Sequence, residues 1–80
     1  MKLSIYSLKK VLFQGEAKLL NCRTAVGEVT ILDNHVPLIS VLKEGVTRIV
    51  DTDEKEYFFQ IKSGFLEVKD GNEVRAIVEQ

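Results

Sequence analysis

The chain carries one histidine, His35, and one cysteine, Cys22, as its most chemically versatile side chains. A zinc site would have to join them to carboxylates that show no recognisable ligand spacing, so no metal site is expected and His35 reads as a turn or interface residue. Cys22 lies in an apolar run with Arg23 as its only cationic neighbour. A thiol in that setting stays protonated and inert, which argues against a nucleophile. Asp51, Asp53, Glu54 and Glu56 crowd together between two apolar runs but are interrupted by Lys55, the pattern of a solvated turn. They also lack the spacing of a calcium loop. Gly27, Gly45, Gly64 and Gly71 stand alone, and none belongs to a glycine-rich phosphate loop that opens a helix. Tyr57, Phe58, Phe59 and Phe65 lack the interleaved Arg and Lys of a base-stacking platform, so all four are assigned to the core. No catalytic residue and no cofactor are expected.

Lys55 offers a different chemistry. A lysine in a hairpin of a small all-β chain is similar to the modified lysine of lipoyl and biotinyl carrier domains. Here, however, Asp53-Glu54-Lys55-Glu56-Tyr57 places Glu54 between the Asp and the Lys and has no small residue after the Lys. The carrier domain is the alternative function.

The elements that must position these residues follow from a hydrophobic period close to two, in short runs bounded by turn residues. Leu3 and Ile5 alternate with polar neighbours, Val11 to Phe13 ends at Gly15, Ala17 to Cys22 follows, and Val29 and Ile31 share a face. Val36 to Leu42 contains Pro37, which belongs at a strand start, an edge or a bulge. Val46 to Val50 and Tyr57 to Ile61 form a hairpin across the acidic turn, and Phe65 to Lys69 with Glu73 to Glu79 form another around Asp70-Gly71-Asn72. Leu8, Val11 and Leu12 also fit one or two helical turns over Ser7 to Gln14, beside an equally good loop-plus-strand reading. The fold expected is all-β, a two-sheet sandwich or flattened barrel of about eight to ten short, mainly antiparallel strands in one domain over residues 1–80.

Composition sets the limits on partners. Eighty residues with 45% hydrophobic and 29% charged side chains fit one small globular domain. It would bury only about two-thirds of its unfolded surface, leaving little room for a deep cleft. A formal net charge of -1 removes the positive field that nucleic acid requires, so no nucleic-acid partner is expected. A single cysteine cannot staple the chain, which points to a reducing compartment. No apolar run reaches a membrane span and no signal peptide opens the chain, so a membrane link would run through a protein, without direct insertion.

The passage from Gly27 to Val46 closely resembles the central motif of the epsilon subunit of F-type ATP synthases. The matching positions are Gly27-Glu28, Ile31-Leu32, His35, Pro37-Leu38, Leu42-Lys43 and Gly45. Leu12-Phe13-Gln14-Gly15-Glu16 and Ser63-Gly64-Phe65-Leu66-Glu67-Val68 are similar to two further blocks of that family, in the same order. Thr30, Asp33-Asn34 and Ser63 stand where the family favours glycine, Pro-Gly and glycine. Asn34 can take the left-handed backbone that such a turn needs.

The resemblance implies a non-catalytic subunit of the central stalk, linking the gamma subunit to the c-subunit ring and coupling ion translocation to ATP synthesis. By motif position, Ser7, Glu28 and His35 would face the ring, and Leu38, Ile39 and Ser40 would face gamma. The family's helical hairpin has no counterpart after Gln80, so this reading expects the C-terminal helical domain to be absent, with no ATP binding. The implied location is peripheral, at the cytoplasmic face of a bacterial membrane.

Overall fold

The computed structural model describes all residues 1–80 and contains eight strands and no helix. They are β1 (Lys2–Tyr6), β2 (Val11–Thr24), β3 (Gly27–Leu32), β4 (Leu38–Leu42), β5 (Gly45–Asp51), β6 (Glu56–Ile61), β7 (Ser63–Lys69) and β8 (Glu73–Glu79). One sheet runs through the first half of β2, then β1, β8, β7 and β4; the other joins β3, the second half of β2, β5 and β6. All neighbours are antiparallel except β1 and β8. The expected all-β sandwich is the observed architecture.

The two apolar runs Val11 to Phe13 and Ala17 to Cys22 are parts of one 14-residue strand rather than separate elements. Its register slips between Ala17 and Leu19, where an extra residue bends the strand from one sheet into the other. No helix forms over Ser7 to Gln14. Instead the Ser7 amide donates to the Lys10 carbonyl at 2.8 Å, the Ser7 hydroxyl accepts from the Lys9 and Lys10 amides, and β2 begins at Val11. The run from Val36 enters the sheet only at Leu38, directly after the proline that lacks a donor.

Alternation fills the core. Leu3, Ile5, Leu20, Ile31, Ile49, Ile61 and Leu66 are fully buried, each on the inward side of its strand. Each such side chain contributes on the order of 1.5–3 kcal/mol by leaving water. Tyr57 and Phe59 pack on this cluster, with the Tyr57 ring edge-on to Phe13 at 5.2 Å. Phe58 and Phe65 do not: they are 61% and 63% exposed, because each occupies the outward position of its strand. Both therefore lie outside the core expected for them, because successive residues of a strand face opposite sides: Tyr57 and Phe59 take the inward face around Phe58, and Leu66 takes it next to Phe65.

Two opposite ends close the sandwich. At one, Thr24 pairs with Leu42, the Lys43 amide donates to the Arg23 carbonyl at 2.9 Å, and the Lys62 amide to the Glu79 carbonyl at 2.8 Å. At the other, the Met1 ammonium binds the Ala17 carbonyl and the Asp33 carboxylate, while Lys2 donates to the Asn72 carbonyl. The Asn34 amide then donates to the Asn72 side chain at 2.7 Å, tying the turn after β3 to the last hairpin. Asn34 has φ 60 and Gly71 φ 83, so both turns use the left-handed backbone their residue types favour.

Candidate interaction site

The chemically versatile side chains stand apart from one another in this fold. His35 is a partly exposed turn residue with its Nδ1 2.7 Å from the Val36 carbonyl. Cys22 is buried, and loss of water pushes its thiol up to about 11. No group of three or more His, Cys, Asp or Glu side chains comes together. The enclosed space in the core is about 10 Å³, bordered by Cys22, Thr47 and apolar side chains, room for one water-sized sphere. The Thr47 hydroxyl is buried there without a hydrogen-bond partner.

The acidic turn is organised for structure. Asp51 accepts from the Lys55 amide at 2.9 Å, the Asp53 amide at 2.8 Å and the Tyr57 hydroxyl at 3.1 Å. The Lys55 amide contributes most to holding the Asp51 carboxyl below its ordinary value, and the same carboxylate raises the Tyr57 phenol. The Lys55 ammonium lies 5.5 Å from the centre of the Tyr57 ring. At the closed end, the hydrogen bond from the Met1 ammonium, then that from Asn72, hold Asp33 below the usual carboxylate range.

The residues expected at a ring contact lie in three different loops or strand ends. Ser7 opens the turn after β1, Glu28 stands beside Arg23 at the start of β3, and His35 follows the far end of β3. Glu28 and His35 are separated by the length of that strand, about 20 Å for six residues. Ser7 and Glu28 belong to the end closed by Thr24 and Leu42, where Leu8 and Val26 are exposed on the turn tips; His35 belongs to the end closed by Asn72.

The segment expected to meet gamma is split by the pleat. Leu38 packs against the core and Ser40 is half-buried beside it, whereas Ile39 is 78% exposed on the outer face. Ile39 is not isolated there. Val41 pairs with Phe65, Phe65 with Ile77, Ile77 with Tyr6, and Tyr6 with Val11, so one outer row of the sheet is apolar across all five strands. Sequence reasoning missed this row because each member sits in a different strand. The available signal was the outward parity of Phe65 and Ile77, which alternate with Leu66, Ala76 and Val78.

The family model described as ATP synthase, Delta/Epsilon chain, beta-sandwich domain matches residues 1–80. This chain belongs to that family. The ATP synthase epsilon chain of Hydrogenovibrio crunogenus is 44% identical over 69 residues, 86% of this chain and 47% of the relative. That of Brevibacillus brevis is 32% identical over 79 residues, 99% of this chain and 59% of the relative. This delta/epsilon-family sandwich thus spans about half the length of the curated relatives it matches.

A chain of the Euglena gracilis mitochondrial ATP synthase superposes with a TM-score of 0.92 at 21% identity, covering 100% of this chain and 51% of that one. One from the central stalk and c ring of the Tetrahymena thermophila enzyme gives 0.86 at 16%, covering 100% and 63%. These two likenesses concern the fold. The family match over the whole chain leaves the carrier reading of Lys55 without support.

Proposed function

We propose that this domain serves as the sandwich domain of a non-catalytic central-stalk subunit in an F-type ATP synthase, held between gamma and the c-subunit ring. The observation that carries the reading is the family match across residues 1–80. In this role the domain transmits rotation, coupling ion translocation to ATP synthesis carried out elsewhere. It resides peripherally on the membrane through its partners, at the cytoplasmic face in a bacterium.

Ser7, Glu28 and His35 are the proposed ring-facing residues, and the Leu38, Ile39 and Ser40 segment faces gamma. Within that segment Ile39 makes the outward contact while Leu38 and Ser40 hold the strand from inside. An exposed ion pair at Glu28 would supply only about 0–1 kcal/mol, so load must be shared among many contacts.

Capture from detergent-solubilised membranes of the native cell tests the reading. Recovery of gamma, alpha and beta subunits with the c ring is the expected result; recovery of none of them would overturn it. Glu28→Lys probes the ring contact: coupling measured at low salt should fall, and unchanged coupling removes Glu28 from that interface.

A further inference from the structure

We propose that Asp70 is a site of spontaneous backbone modification: its carboxyl group cyclises onto the Gly71 amide and reopens as isoaspartate, which loosens the end of the sandwich closed by Asn72. The modification needs no partner and goes beyond the stalk reading. Cyclisation requires an amide nitrogen that can reach the side-chain carbonyl carbon of the residue before it. A side chain on the following residue obstructs that approach, and glycine has none. Asp70 is the one aspartate followed by glycine; Asp33 precedes Asn34, Asp51 precedes Thr52 and Asp53 precedes Glu54. Asp70 and Gly71 are both exposed at the tip between β7 and β8, and no atom lies within 4 Å of where a Cβ on Gly71 would stand.

The carboxyl groups that open the other two turns are engaged. Asp51 accepts from the Lys55 amide, the Asp53 amide and the Tyr57 hydroxyl, and Asp33 is held by the Met1 ammonium and the Asn72 side chain. These bonds keep both below the ordinary carboxylate range, and so ionised. Ring closure proceeds instead from the neutral acid, whose hydroxyl can leave as water. No such partner reaches Asp70: the lysine beside it, Lys69, lies 3.6 Å from Glu73.

In the first step the Gly71 nitrogen bonds to Asp70 Cγ, its proton and the carboxyl hydroxyl depart as water, and a succinimide results. Solvent water then opens the ring. Attack at Cγ restores aspartate; attack at the Asp70 main-chain carbonyl carbon breaks its bond to the Gly71 nitrogen, which takes up the proton, and leaves the chain running through the side chain. No oxidant, reductant or cofactor enters. The altered backbone is longer by one carbon–carbon bond, about 1.5 Å. Two residues on, Asn72 ties three segments together. Its main-chain carbonyl accepts from the Lys2 amide at 2.9 Å, its side-chain carbonyl accepts from the Asn34 amide at 2.7 Å, and its side-chain amide donates to Asp33 at 3.3 Å. Hydrogen bonds do not survive a displacement of that size, so isoaspartate at position 70 releases the Lys2 and Asn34 amides.

Storage of the folded chain in heavy-oxygen water at neutral pH and body temperature, followed by peptide mapping and enzymatic methylation of isoaspartate, tests the proposal. Heavy oxygen and isoaspartate should accumulate at Asp70 several-fold faster than at Asp33 or Asp51. Neither should accumulate at that position in Asp70→Glu, whose longer side chain closes a less favoured ring. The isoaspartate form, separated by chromatography, should show faster hydrogen exchange at the Lys2 and Asn34 amides than the unmodified chain. Asn72→Gly keeps the left-handed backbone and should reproduce the loss at Asn34 without storage. Isoaspartate no faster at Asp70 than at Asp33 or Asp51, a modified chain that keeps full protection at Lys2 and Asn34, or unchanged protection of Asn34 in Asn72→Gly would each overturn the proposal.

Discussion

The two faces of β7 and β8 share the same strands and the same alternation, and both carry large apolar residues, yet they meet different surroundings. The inward set, Leu66, Val68, Val74, Ala76 and Val78, lies against side chains of the second sheet and is almost wholly excluded from water. The outward set alternates the apolar Phe65 and Ile77 with the charged Glu67, Arg75 and Glu79, and no element of the chain covers it. Apolar character alone does not define a core position. What defines it is whether another part of the chain arrives to exclude the water.

That contrast is tested most severely at Leu66. Leu66→Ala should cost about 2–5 kcal/mol, a large share of the roughly 4–12 kcal/mol available to a domain of this size; a urea unfolding curve reads it directly. Gly64→Ala would press a side chain onto the neighbouring strand β8. An added Cβ would lie 2.5 Å from the Ile77 carbonyl, so a loss of about 1–3 kcal/mol is expected in the same measurement.

The buried face also carries a signature in alkali. The Cys22 thiol is held neutral to about 11 in the folded chain, whereas the unfolded chain ionises near its ordinary value. Stability is therefore fully present below the unfolded value and declines, by on the order of 2 kcal/mol, as pH rises toward the folded one. Unfolding curves at a series of pH values should show this decline, and Cys22→Ala should flatten it.

Asp33 gives the opposite slope in acid. Its folded value is depressed, so its contribution is present above the ordinary carboxylate value and lost as pH falls through the folded one. Asp33→Asn should make the acid limb of a thermal-melt series shallower. Phe65→Ser should have the smallest effect on stability, within about 0.5 kcal/mol. A loss comparable to Leu66→Ala would show that the outward face is covered within the folded chain and would remove the contrast.

Much of this was legible in the residues. Periodicity near two, the Asp-Gly turn and Pro37 at a strand start follow from local backbone chemistry, and each is found where it was expected. Asn34 supplies the left-handed turn in place of the family's glycine because its short amide tolerates that backbone. The bend of β2 was not legible, since a bulge is specified by the register of neighbouring strands rather than by its own sequence. Nor was the separation of Glu28 from His35, seven positions apart in a segment that a strand stretches from one end of the sandwich to the other.

The sequence by itself therefore determined the strand-rich class, the family and the turn chemistry, because these depend on residues close together along the chain. Only the tertiary structure decided which half of each alternating pattern is covered and how β2 joins the two sheets. It alone brought Val41, Phe65, Ile77, Tyr6 and Val11 into one row. Those outcomes depend on pairing between distant segments, and it is pairing that turns five scattered residues into a surface.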